Sequence, residues 1–570
     1  MLPVELLIIM RKIFTAISIK SISSIWIFAL VLAIIKLWLT SHLPIIAIWA
    51  GHDHLKYVQM AFDILDFSPP FPYDQYTLMR EPGYPFFIRL SYILGFSLRF
   101  SQELLYIIAG FLLAWSYYKY YSNKIVVIIF LCLYIFVPAS FYLNRLTLRH
   151  AIYLPLTVFI ISCLIHLVNS QSEKIKFLRW STILGIGLAW FWNTRPEGVW
   201  IIPAIAIAYL IITVQILRSD SNLRYALNLV SHSIVRVLVP VLLITLLLST
   251  ITYFKYGIFA TNDLKNPGLK AAYSRLTTVS PDRWRYKVPV PRETRMEIYS
   301  VSPAFWKLSH YLEGEGKQWF TPACNTIGVC DDYGGGWFVW ALRDAVAKAG
   351  EYRSAPATED FYYRIDRELE AACQSGQLKC KDRLFSLSSF APDIHPEYID
   401  SFFKSIGDVS HRLVEEPTQL NLISGDEADN TRKTYEKVTR ETADFPSQRT
   451  KPINRFKDSL TASLTRVYKS LFSILLRLGA VGLALKYVSG FFTRNREQKS
   501  WLSLVSIILT CILVRVVLMA YIDATSFPIG LLYLWSVVPL MLMGMALGVS
   551  YLVEMSSLIF KRIRRALASY

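Results

Sequence analysis

Residues 194–217 read TRPEGVWIIPAIAIAYLIITVQIL. From Val199 to Leu217 there is no Asp, Glu, Lys, Arg or His. As a helix, such a run is long enough to cross a hydrocarbon core of about 30 Å. A barrel strand would alternate in polarity, whereas this run is continuous, so it reads as a membrane helix. The segment just ahead of it, Thr194-Arg195-Pro196-Glu197-Gly198, sets two opposite charges at the mouth of the span. Charge placed there is costly unless it is used.

Similar runs recur along the chain. The predicted spans are 22–40, 102–118, 125–142, 147–168, 178–194, 199–217, 234–253, 471–491, 501–521 and 529–553. The first is longer than the apolar part of a cleavable signal and lacks a small-residue cleavage site, so it reads as retained. Over 570 residues the chain is 54% hydrophobic with mean hydropathy +0.37, more apolar than a soluble fold requires. The predicted class is an all-α polytopic membrane bundle of about ten transmembrane helices. A mixed or α-rich extracytoplasmic domain is inserted before the last three spans.

The net charge of +18 follows topology. Lys119 and Lys124, Lys174, Lys176 and Arg179, Arg218 and Arg224, and Arg494, Arg496 and Lys499 occupy short loops. With ten spans these loops fall on one side, together with Arg11, Lys12 and Lys20 and the basic tail 561–565. The lysine and arginine bias makes that side cytoplasmic and both termini cytoplasmic. No basic-aromatic platform suited to nucleic acid stands out. The run 84–98 carries Arg89 and leads to Arg99, so it reads as an interfacial helix.

Three regions result: 1–253, a bundle with a first outer loop at 41–101; 254–470, a polar domain; and 471–570, the last spans and tail. The first half of 254–470 has aromatic residues throughout and reads as folded. The charged stretch 425–457 reads as a lid, a linker or an amphipathic helix. Its four cysteines allow three pairings, and close spacing favours Cys324–Cys330 and Cys373–Cys380 over free thiols or zinc. Gly334-Gly335-Gly336 lacks the spacing and the Lys-Ser/Thr ending of a phosphate loop.

Candidate chemistry gathers at the outer mouths of the spans. Asp53, between His52 and His54, is the candidate catalytic base, because desolvation at the lip of an apolar cavity raises a carboxylate toward a working range. The competing role, compatible with the first, is to cap a helix beginning at His54. His52, Asp53 and His54 also offer ligands to a divalent metal ion, although three consecutive residues cannot face one point on a helix. Arg80, Arg149 and Arg195 suit phosphate, because a guanidinium fork binds it bidentately and stays charged. Glu81 and Glu197 are their neighbouring carboxylates, and His150 follows Arg149 on the same span. Arg145 and Asp523 read as markers of where helices meet water. An apolar bundle with cations at its mouth fits a phosphate-bearing lipid.

With Asp53 in the first loop, Arg80-Glu81-Pro82-Gly83-Tyr84-Pro85, Thr194-Arg195-Pro196-Glu197-Gly198 and Tyr521-Ile522-Asp523-Ala524-Thr525-Ser526-Phe527-Pro528, the sequence resembles the GT-C superfamily of integral membrane glycosyltransferases. The likeness is to the bacterial branch similar to protein O-mannosyltransferases and the lipid A aminoarabinose transferase. It covers roughly residues 20–255 and 470–555 and leaves 254–470 outside it.

The resemblance implies a polyprenyl-phosphate sugar donor and an acceptor that is a glycan, lipid or protein. It also implies direct attack with inversion, Asp53 as base, arginines on the lipid phosphate, and a bacterial inner or plasma membrane. Two departures stand out. The first loop has histidines beside Asp53 where many relatives have a second acid. Leu531-Leu532 precede Tyr533-Leu534 where many relatives have an arginine. A polysaccharide polymerase or ligase, and a transporter or flippase of lipid-linked sugars, are the competing readings. The latter would want charges deep in several spans, where only Lys36, Arg236 and Arg515 occur.

Overall fold

The computed structural model describes residues 22–46, 54–63, 73–219, 222–381, 390, 392, 395–420, 435–441, 451–491 and 496–568. Among these the secondary structure is helical, with three isolated bridges and no strand.

The first part of the bundle runs α1 (Ile22–Thr40), α2 (His54–Asp63), α3 (Gly83–Ile93), α4 (Leu98–Tyr121), α5 (Lys124–Ile135), α6 (His150–Val168), α7 (Lys174–Trp192), α8 (Ile202–Leu217) and α9 (Leu223–Tyr256). Local chemistry sets several ends. Ser97 caps α4, Asn123 caps α5 through Ile125 N and Val126 N, and Asn222 caps α9. Gly257, at φ +77°, ends α9 in the left-handed region that glycine enters without penalty.

The polar domain contains α10 (Pro267–Leu276), α11 (Arg292–Val301), α12 (Trp337–Lys348), α13 (Ala355–Gln374) and α14 (Glu397–Glu415). The chain returns to the bundle through α15 (Pro452–Phe491), α16 (Arg496–Thr525) and α17 (Val538–Ala568).

Two cores result. In the bundle, α9 packs on α7, α7 on α6, α6 on α4, α4 on α5, α5 on α17 and α17 on α15, while α16 packs on α8 and α17. Gly479 and Gly482 on α15 meet Gly548 on α17 backbone to backbone, an approach that only residues lacking a Cβ permit. The polar domain closes over its own core of Leu269, Phe305, Phe338, Leu342, Phe361 and Ile365. It is α-rich, and its Cys324–Cys330 and Cys373–Cys380 sulfurs are bonded.

Seven helices among the described residues are long and apolar enough to cross a membrane, and α1 and α5 contribute two shorter apolar ones. The chain is an integral, multi-pass membrane protein. The sequence expectation of ten spans counts α7 as well, whose first turns carry Lys174, Lys176 and Arg179. The predicted run 125–142 divides into α5 and a four-residue turn, Ser140–Leu143, on either side of Pro138. At 11 residues α3 is too short to span.

Within the bundle, Lys36 is wholly buried. Its Nζ donates to Ser140 Oγ at 2.6 Å and faces Glu103 at 3.6 Å. Of the predicted lid region, 425–434 and 442–450 lie outside the described residues. A turn of helix at 435–439 buries Tyr435 and Val438 in the bundle core, with the Tyr435 hydroxyl against Thr147 Oγ1.

Candidate active site

The two Pro-Gly motifs abut. Gly83 N donates to Asn193 O at 2.7 Å, and Trp190 Nε1 donates to Gly83 O at 3.0 Å. A Cβ on Gly83 would stand 2.5 Å from Thr194 Oγ1 and 2.6 Å from Asn193 O, so only glycine allows the approach. The end of α7 and the start of α3 are therefore held as one unit, with Arg80-Glu81 on one side and Arg195-Pro196-Glu197 on the other.

Glu81 points into the polar domain's first segment. It is buried, pairs with Lys265 Nζ at 2.7 Å and accepts from Asn262 Nδ2 at 3.0 Å. Burial pushes its carboxyl above the usual range, opposed by Lys265 and, more weakly, by Arg149. Arg80 lies with its guanidinium 5.3 Å from the Trp340 ring, in the field of Asp263. Asp263 N donates to Leu78 O at 2.9 Å, and its carboxylate pairs with Arg343 at 2.7 Å. Arg80 and Glu81 thus meet the polar domain.

Arg149, His150, Arg195 and Glu197 gather in the bundle. Arg195 is buried, pairs with Glu197 and lies 5.2 Å from the Tyr153 ring and 5.1 Å from the Tyr533 ring. His150 sets its ring 6.0 Å from Tyr533. Arg149, half-buried, acts electrostatically on Glu81 and Glu197. His54 is buried within the field of His150. His52 and Asp53 lie outside the described residues, so the candidate base and two of the three candidate metal ligands have no described position. No group of three His, Cys, Asp or Glu among the described residues is placed to hold a metal.

A residue the sequence treated only as an in-span charge completes the cluster. Arg515 on α16 is fully buried, and its Nε and Nη2 donate to Tyr533 O at 3.0 and 2.6 Å. Its guanidinium lies 5.3 Å from Trp200 and 5.9 Å from Tyr153, whose hydroxyl accepts from Trp200 Nε1 at 2.8 Å. Arg515 thus reaches the Tyr533 carbonyl from the preceding helix. The available signal was the cost of a lone arginine in an apolar run. Tyr153, Trp200 and Tyr533 carried no such signal, since an aromatic in a span is ordinary packing.

The cluster leaves donors unspent. Arg195 Nε and Nη1, Arg515 Nη1 and both His150 ring nitrogens are buried without a hydrogen-bond partner among the described residues. Buried polar groups are rarely left so, and among the described residues the two buried arginines Arg195 and Arg515 face the one carboxylate of Glu197. The arrangement can hold a compact anion with several acceptor oxygens beside apolar helices.

Arg145 and Asp523 correct a simpler expectation, being tied into the fold rather than marking water. Arg145 is buried and donates from Nε to Pro44 O at 2.7 Å. Asp523 accepts from Ser405 Oγ and from Ile529 N, each at 2.8 Å.

No family model and no curated protein matches the chain. Among solved structures it is similar to ArnT from Cupriavidus metallidurans bound to undecaprenyl phosphate, at 11% identity over 92% of this chain and 78% of that one, TM-score 0.34. It is also similar to the oligosaccharyltransferase from Archaeoglobus fulgidus in complex with Zn and sulfate, at 14% identity over 74% of this chain and 62% of that one, TM-score 0.32.

Proposed function

We propose that the protein transfers a sugar from a polyprenyl-phosphate-linked donor to an acceptor on the extracytoplasmic membrane face. The unspent donors of Arg195, Arg515 and His150 carry this reading, because a lipid phosphate is an anion delivered from within the bilayer. Arg149, Arg195 and Arg515 bind the phosphate oxygens, and Glu197 orients Arg195. Tyr153 and Tyr533 wall the arginines with aromatic faces, which strengthens their electrostatics by excluding water.

Asp53 accepts the proton of the acceptor hydroxyl as its oxygen attacks the anomeric carbon. The bond from that carbon to the phosphate oxygen breaks on the opposite face, so configuration inverts. The lipid phosphate leaves with both bonding electrons, and the fixed arginines stabilise the charge as it develops.

Asp53→Asn and Arg515→Gln separate the two roles. Asp53→Asn leaves binding of a polyprenyl phosphate intact and lowers transfer by about 100-fold or more, the contribution of a general base. Arg515→Gln weakens binding of the polyprenyl phosphate itself. Full transfer activity in Asp53→Asn overturns the base assignment, and unchanged lipid-phosphate binding in Arg515→Gln overturns the phosphate pocket.

A further inference from the structure

A cavity lies between the polar domain and the end of α16, apart from the arginine cluster. Its cavity volume is about 100 Å³, and it opens to solvent. One wall is aromatic. Trp284 stacks on His395 at 3.7 Å and meets Tyr398 edge-on at 5.8 Å, and Tyr286 adjoins both Trp284 and Tyr398. The rest of the lining combines hydroxyl-bearing residues, among them Thr278, Thr525 and Ser526, the lysines Lys287 and Lys381, and the apolar Pro281, Val288, Pro289 and Pro392. None of the described residues lining it is acidic.

The cleft is built, not incidental. Ser280 and Lys287, two of the four non-glycine residues with positive φ among those described, bracket the turn that presents Trp284. Such backbone is strained and persists where the surroundings hold it. Here Ser280 N donates to Lys379 O at 2.7 Å, Lys287 O accepts from Gly335 N at 2.7 Å, and Lys287 N faces the Tyr398 hydroxyl at 3.3 Å. The Cys373–Cys380 bond fixes the strand of chain that carries Lys381, whose N donates to Thr278 O at 3.0 Å. Gly335 sits against Ser526 O, too close for any Cβ, which joins the cleft to the end of α16.

Aromatic faces suit the C–H face of a sugar ring, hydroxyls suit its hydroxyl groups, and Lys381, together with Lys287, whose Nζ also donates to Asp523 O at 3.2 Å, suits a carboxylate or phosphate on it. We propose that this cleft binds an anionic oligosaccharide. Resting on the transfer reaction above, it holds the part of the acceptor beyond the reacting sugar. Helix α16 carries both Arg515 and Thr525. Ten residues of helix separate them by about 15 Å, a reach of a few sugar units.

The test is titration of the full-length protein in lipid nanodiscs with a short oligogalacturonate and with a neutral maltooligosaccharide of equal length, followed by tryptophan fluorescence and calorimetry. The acidic probe is expected to bind saturably and the neutral one at least about tenfold more weakly, the worth of one charged hydrogen bond. Lys381→Gln, at an exposed position that leaves the fold intact, should cost the same factor, and Trp284→Ala should remove binding. Equal affinity for both probes, no saturable binding, or wild-type affinity in Lys381→Gln overturns the proposal. Asp53→Asn should bind the acidic probe normally, so a failure of the transfer chemistry is read separately from a failure of the cleft.

Discussion

Gly83→Ala probes whether the two motifs act as one unit. The added methyl would stand 2.6 Å from Asn193 O, whereas ordinary contact begins near 3.4 Å. The Thr194 hydroxyl cannot swing aside freely, because it donates to Trp190 O at 2.8 Å, and the Asn193 carbonyl is backbone. The start of α3 and the end of α7 must therefore part by roughly 0.8 Å, given the van der Waals contact distance. That overpacking costs about 1–3 kcal/mol, and stretching the Gly83–Asn193 hydrogen bond adds about 1 kcal/mol. Misplacing a substrate-holding group by about 1 Å costs on the order of 100-fold in rate. Transfer from a labelled polyprenyl-phosphate sugar in proteoliposomes should fall about 10- to 100-fold on that basis, with the variant still monodisperse after extraction. Wild-type transfer by a folded Gly83→Ala protein would refute the coupling of the motifs.

Two further outcomes concern stability. The Glu81 carboxyl is held above its ordinary value of 4.5 by burial, so between that value and its folded one the native state binds the extra proton. Its contribution is present at low pH and is lost as pH rises through the raised folded value. The melting midpoint should fall over that window, and Glu81→Gln should flatten the fall. Asp263, raised from 3.8 by burial against the pull of Arg343, leaves a residual slope of the same sign. An identical slope in Glu81→Gln would contradict this. Lys36→Met strands Glu103 in the bundle and should cost about 3–5 kcal/mol in denaturation, with Lys36→Met/Glu103→Leu recovering most of it. A single variant as stable as wild type would show that the pair is not held as the structure has it.

Much of the fold was legible in the chain. Continuous apolar runs are set by composition, and lipid leaves a spanning backbone no choice but helix. The short run 84–98 with Arg89, and the polar interruption from 254 onward, were also plain. The limits of α5 and α7 were less so, because Pro138 divides one run and lysines occupy the start of the other. The sequence nominated Arg149, His150, Arg195 and Glu197 from their place at span ends, and the structure brings them together. Their order along the chain, however, did not reveal that Glu81 pairs with Lys265, 184 positions later.

By itself the sequence determined that this is a multi-pass membrane protein with charged motifs at its helix mouths. Each apolar run announces a helix, and each charge beside it announces a cost that must be met. Tertiary structure alone decided how those costs are met. It brought Arg515 from mid-helix to the Tyr533 carbonyl and Arg195 between Tyr153 and Tyr533. It also sent Arg80 and Glu81 to the polar domain. A span apolar on every side carries no mark of which face meets which neighbour. That choice is made by packing between segments hundreds of residues apart, and only when it is made do the buried arginines come together.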